Sequence, residues 1–205
     1  MKLEHYFPVT IGKRVLDAPD VQKINLSFNE WYKLNEQKFE DNPQEIVLNT
    51  FNTIDNVLDL KEFEILKEKI LEYSNLFLIN QRTFLKDGYE LAIEASWINV
   101  FRPNFLESAH HHYGSLLSGV YYIEGSEKSG SFKFEDPNAL KVLWYYSFSK
   151  MVNFDQLKKD TCIDPHEGLL ILFPSWLTHN VTKNLTNSRR ISVAFNISPN
   201  LIVKT

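Results

Sequence analysis

The sequence predicts a mainly β fold with packed helices (an α+β chain), its strands forming a sandwich or barrel and its helices lying on one outer face. Two observations carry this. The N-terminal third has apolar residues at helical spacing. After about Leu91 the pattern changes to short alternating or wholly apolar runs, punctuated by Gly and Pro. At 205 residues, 43% hydrophobic and 14% aromatic, the chain is long and apolar enough for one sizeable core.

Taken in order, "YFPVTIGKRV" reads as a strand. Between Asp17 and Phe39, residues Val21, Ile24, Phe28, Trp31, Tyr32 and Leu34 recur at roughly helical spacing. In "TIDNVLDLKEFEILKEKILEYSNLFLIN", Leu60, Phe63, Leu66, Lys67, Ile70, Leu71 and Ser74 step by three and four between largely charged positions, which predicts an amphipathic helix. "EASWINVFRP" alternates, placing Trp97, Asn99 and Phe101 on one face of a strand. "LLSGVYYIEG" and "SGSFKFEDP" are two further strands, each bounded by turn residues. "HEGLLILFPSWLTH" reads as one buried apolar strand ending at His179, and "RRISVAFNIS" as a last β-branched strand. One domain over 1–205 is expected, with supporting elements in 1–95, a β core in 96–205 and a less regular excursion at 138–165. Within that excursion Trp144, Tyr145 and Tyr146, and beyond it Trp176, read mostly as core packing.

The formal net charge is −4. From Phe101 onward there are 11 basic and 9 acidic residues, leaving 11 basic and 17 acidic before it. Neither part is strongly basic, so no nucleic-acid partner is expected. No apolar run reaches the ~18 residues of a membrane span. The lone cysteine, Cys162, and an N-terminus without an apolar signal core point to the cytoplasm. The sequons at Asn180 and Asn184 then read as chance matches. A homodimer suits a chain of this size.

The chemistry concentrates in "ESAHHHYGSLLSGVYYIEG". On a strand, His110 and His112 share a face and His111 points away. Among His5, His166 and His179, the last is the best third donor, since strand ends are where such pockets open. Three neutral imidazoles form a metal site of the facial kind, although a histidine run also suits a solvated loop. On the last strand Arg190, Ser192, Ala194 and Asn196 share the face opposite Ile191, Val193, Phe195 and Ile197. Only one of Arg189 and Arg190 can point inward; the small and polar face-mates of Arg190 suit a pocket and favour it, a solvated surface pair being the other reading, and an arginine fork suits a carboxylate.

The ordered set H-x-H, "LSGVYYIEG", "SGSFKFEDP", "EGLLILFPSWLTHNV" and "RRISVAFNI" resembles the Fe(II)/2-oxoglutarate-dependent oxygenases, in particular small members from phages and bacteria. The resemblance covers about Ser96 to Ser198. It implies a double-stranded β-helix, a jelly-roll or cupin-like core. It implies Fe(II) at His110, His112 and His179, with His112 standing where the wider family keeps a carboxylate. It also implies that Arg190, eleven residues past His179, and Tyr122 clamp the far carboxylate of 2-oxoglutarate, with Asn99 and Ser118 as further cosubstrate contacts. The expected activity is hydroxylation of a substrate coupled to decarboxylation of 2-oxoglutarate to succinate. Two other readings stay open: a three-histidine cupin-type metalloenzyme that does not use 2-oxoglutarate, and a non-catalytic jelly-roll binding module.

Overall fold

The computed structural model describes residues 2, 8–35, 47–51, 53–54, 56–148, 150–151 and 162–202. In chain order the elements are β1 (Gly12–Val15), α1 (Ala18–Asn35), β2 (Val47–Asn49), two short 3-10 turns, α2 (Glu64–Asn80), β3 (Tyr89–Phe101), β4 (Glu107–His110), β5 (Leu117–Glu124), β6 (Phe132–Phe134), α3 (Ala139–Phe148), β7 (Cys162–Ile163), β8 (Leu169–Pro174), β9 (His179–Val181) and β10 (Arg190–Leu201).

The strands form two antiparallel sheets, ordered β1-β8-β5-β10-β3-β2 and β4-β9-β6-β7. From β3 onward the chain passes back and forth between the two sheets, so the eight strands β3 to β10 form a jelly roll. No helix among the described residues is long and apolar enough to cross a membrane.

Alternation in the central strands sorts the two cores. Tyr121 and Ile123 on β5, Leu170 and Leu172 on β8, and Ile191, Val193, Phe195 and Ile197 on β10 face the helices, where Phe28, Phe63, Leu66 and Ile70 meet them. Val120 and Tyr122, with Leu169, Ile171 and Phe173, face the other way, into the space between the sheets. The functional cavity opens in that second space.

Three expectations change, and two others fall partly outside the described residues. The predicted long helix begins only at Glu64, because Leu60 is extended (φ −72, ψ 140) and the Leu58 amide donates to the Ser96 hydroxyl at 2.9 Å instead of to a helical carbonyl. The predicted strand through His179 is two strands in different sheets. The chain turns after Pro174, closed by Leu177 N–H donating to the Pro174 carbonyl at 2.9 Å, and His179 opens β9. The first helix is described over Ala18–Asn35, and the predicted residues from 36 to 39 lie outside the described part. The excursion contains α3 and β7, and its residues 149 and 152–161 also lie outside the described part. Trp144, Tyr146 and Trp176 are exposed rather than core, since among the described residues no sheet face covers them.

Candidate metal centre

His110, His112 and His179 converge, with one potential ligand atom of each lying within 4.8 Å of the others. His110 and His179 are direct partners across the β4–β9 pair, their ring centroids 4.3 Å apart. His112 arrives differently from the strand alternation expected. It lies two residues past the end of β4, and its backbone N–H donates to the Ser175 carbonyl at 2.9 Å, in the turn that joins β8 to β9. That bond fixes the loop so that the His112 ring stands 5.2–5.3 Å from the other two. His111 turns away and packs on Tyr113. His166 is exposed and outside the cluster, and His5 lies outside the described residues.

Two of the rings are oriented by the backbone. His110 Nδ1 meets the Ser108 carbonyl at 2.8 Å, and His179 Nδ1 meets the Leu177 carbonyl at 2.9 Å. A carbonyl only accepts, so both Nδ1 atoms carry the proton and both Nε2 lone pairs are left for a ligand. Burial pushes the His179 imidazole down to about 3 and the His112 imidazole to about 4, with the neighbouring histidines adding to both shifts. These two rings are therefore neutral at physiological pH, the form that binds a metal.

The cluster lines one wall of a cavity of about 350 Å³. Asn99, Tyr122 and Arg190, all expected at a cosubstrate, line the same cavity, as does Ser192. Arg190 is only 2% exposed. Its Nη1 donates to the Gly130 carbonyl at 2.7 Å, and its guanidinium lies 4.4 Å over the Phe101 ring and 5.8 Å from that of Tyr122. Its Nε is buried with no partner. Gly130 suits this contact: its φ is +101, and a Cβ there would stand 2.5 Å from the Thr182 carbonyl oxygen. Burial lowers the Arg190 pKa, opposed by Tyr122 and Glu107, and raises that of Tyr122, whose phenol keeps its proton. Arg189 faces out, paired with Glu124 at 3.3 Å and lying over Tyr32. Ser118 is not among the lining residues. Its hydroxyl hydrogen-bonds with Ser175 and Asn196, each at 2.8 Å, one step beyond the cavity on the same sheet face.

Sequence reasoning did not single out Glu107, Asn49 or Phe51, which also line the cavity. Glu107 lies three residues before His110, which plain alternation places on the opposite face. A register shift in the β4–β9 ladder between Glu107 and His110 reverses this and turns both inward. No residue-type signal marks such a bulge. Phe51 is half exposed and stacks edge-on against Trp97 at 5.1 Å, and Trp97 in turn stands 5.9 Å from the His112 ring.

A donor set of three imidazoles suits Fe(II) and other late divalent metals, and an under-satisfied buried guanidinium suits a bound carboxylate. Both fit the group that this sequence pattern implies.

Similar solved structures share the fold. They include an oxidoreductase of the 2OG-Fe(II) oxygenase family from Burkholderia pseudomallei (12% identity over 92% of this chain and 84% of that one, TM-score 0.59). HygX from Streptomyces hygroscopicus, solved with nickel and 2-oxoglutarate, aligns at 13% identity over 94% and 83%, TM-score 0.57. A prolyl-4-hydroxylase from Pseudomonas putida aligns at 12% identity over 93% and 92%, TM-score 0.57. No curated protein sequence matches the chain. Residues 95–196 match the family described as "Putative 2OG-Fe(II) oxygenase". That stretch contains all three imidazoles, Tyr122 and Arg190, and by it the chain belongs to the 2OG-Fe(II) oxygenase superfamily.

Proposed function

We propose that this chain is an Fe(II)- and 2-oxoglutarate-dependent dioxygenase that hydroxylates a substrate while 2-oxoglutarate is decarboxylated to succinate. The observation that carries the reading is Arg190. A buried guanidinium with an orphaned Nε, facing a cavity whose other wall is three imidazoles, calls for an anion long enough to reach from one to the other. 2-Oxoglutarate has that form, with a keto-acid at one end and a carboxylate at the other, and the HygX structure holds this molecule with a metal.

His110, His112 and His179 hold the metal in this reading, and the bound metal supplies the oxygen-activating chemistry. Arg190 and the Tyr122 O–H bind and orient the far carboxylate. Asn99, on β3 opposite Ser192, offers an amide to the middle of the same ligand. Phe101, Val120, Phe132 and Phe173 keep the inner end of the cavity apolar and exclude water. Ser118 is assigned to holding Ser175, and through it the His112 loop, rather than to the cosubstrate. The lone cysteine keeps the cytoplasm as the proposed setting.

The test is binding and turnover with purified protein under anaerobic Fe(II) loading. It should bind one Fe(II) and then 2-oxoglutarate, and on admitting air it should release succinate slowly even without a prime substrate. Failure to bind either component overturns the proposal. An all-histidine donor set also fits a cupin-type enzyme that does not use 2-oxoglutarate. That alternative predicts Fe(II) binding with 2-oxoglutarate affinity absent in the wild type and unaffected by Arg190→Ala.

A further inference from the structure

Charge in the cavity is unusual, and Glu107 accounts for it. Three neutral imidazoles leave a divalent metal with its full charge of +2, where a set containing one carboxylate leaves +1. The missing negative charge is present nearby. Among the described residues lining the cavity, Glu107 is the one carboxylate. It lies on β4, opposite Val181 of β9. The register shift between Glu107 and His110 breaks the two-residue alternation that otherwise turns this side chain out to solvent. No ion pair among the described residues holds it. Its charge acts on Arg190 through space without closing a salt bridge.

We infer that Glu107 is a charge-compensating, positioning residue that supplies from the cavity wall the negative charge that the all-histidine donor set lacks. The inference rests on the metal and 2-oxoglutarate reading above. With a divalent metal, dianionic 2-oxoglutarate, Arg190 and Glu107 all in place, the cavity is neutral. Without Glu107 it carries one excess positive charge. Two effects of opposite sign follow. Glu107 attracts the metal ion, and it repels the incoming dianion, lowering 2-oxoglutarate affinity from the value that Arg190 alone would give. Unit charges that share a partly enclosed cavity change each other's binding constants by on the order of tenfold.

The experiment uses the full chain, Mn(II) as a redox-stable probe and 2-oxoglutarate, in wild type, Glu107→Gln and Glu107→Asp. Mn(II) is titrated alone by electron paramagnetic resonance. 2-Oxoglutarate is then titrated calorimetrically at saturating Mn(II). Glu107→Gln should bind Mn(II) roughly tenfold more weakly and 2-oxoglutarate several-fold more tightly. Glu107→Asp, which keeps the charge, should stay close to wild type in both. A structural defect weakens both ligands together, so that pattern overturns the inference, as does a Glu107→Gln variant with both constants unchanged. If the wild type binds neither Mn(II) nor 2-oxoglutarate, the functional reading fails first and this inference fails with it. If the wild type binds both and only the glutamine variant's shifts are absent, the inference alone falls.

Discussion

Arg190 and Arg189 are neighbours with opposite fates, and the contrast decides what each should do when removed. Arg190 is buried, keeps one hydrogen bond to Gly130 and leaves its Nε without a partner. A carboxylate held by such a fork makes charge-assisted hydrogen bonds that contribute about 1.5–3 kcal/mol each. Arg190→Met should therefore weaken 2-oxoglutarate binding about 100-fold or more. The same change removes an uncompensated buried charge, so the unliganded fold should lose little stability or gain some. A binding titration paired with a thermal melt separates these outcomes. A melt that collapses would mean that Arg190 is a structural residue. Arg189→Ala, by contrast, removes only the surface contacts to Glu124 and Tyr32 and should leave 2-oxoglutarate affinity as it is. Strand alternation in "RRISVAFNI" puts the two on opposite faces, and the structure has Arg190 buried and Arg189 at the surface.

At the level of elements, the central strand β5 sets how closely the sheet packs. It lies between β8 and β10, and Gly119 faces the helix-side core at the tightest point. A Cβ on Gly119 would stand 2.6 Å from the Ile171 backbone oxygen and would press into the Phe195 ring. The ring can move a little, but the backbone of a paired strand cannot. Gly119→Ala should destabilise the fold by about 1–3 kcal/mol, read as a lower denaturation midpoint at unchanged slope. The "SGV" stretch is thus a packing requirement as well as part of the pattern that identifies the family. Element faces were largely legible, since period-two alternation grouped Trp97 with Asn99 and Phe101, Tyr122 with Ser118 and Val120, and Arg190 with Ser192, Ala194 and Asn196. Element boundaries were less so. The turn at Pro174–Leu177 that moves His179 into the second sheet is closed by one backbone hydrogen bond inside an apolar run. The bulge that brings Glu107 inward depends on pairing with β9, some 70 residues away in sequence. Neither leaves a periodic signature. His112 reaches the cluster through its bond to Ser175, which strand alternation does not foresee.

For the molecule as a whole, the metal site joins parts that are otherwise held by few bonds. β4 and β9 are strands of only four and three residues. His112 sits in a loop tied to the turn through which the chain leaves the large sheet for the small one. A metal bound by His110, His112 and His179 therefore fastens the small sheet to that crossing. The unfolded chain holds no such arrangement, so metal binding adds to folding stability. At a free metal concentration 100 times the dissociation constant, the gain is about 2.7 kcal/mol. For a chain of this length that raises the melting temperature by roughly 5–11 °C, taking about 2–4 °C per kcal/mol. Differential scanning calorimetry with and without Mn(II) should show that rise, and a chelator should reverse it. His179→Ala should melt at one temperature whether or not metal is present, because two imidazoles bind too weakly to register. Arg190→Met should keep the full metal shift while losing the further rise that 2-oxoglutarate gives. If His179→Ala retains the wild-type metal shift, the stabilising ion binds elsewhere and the three imidazoles are not its ligands.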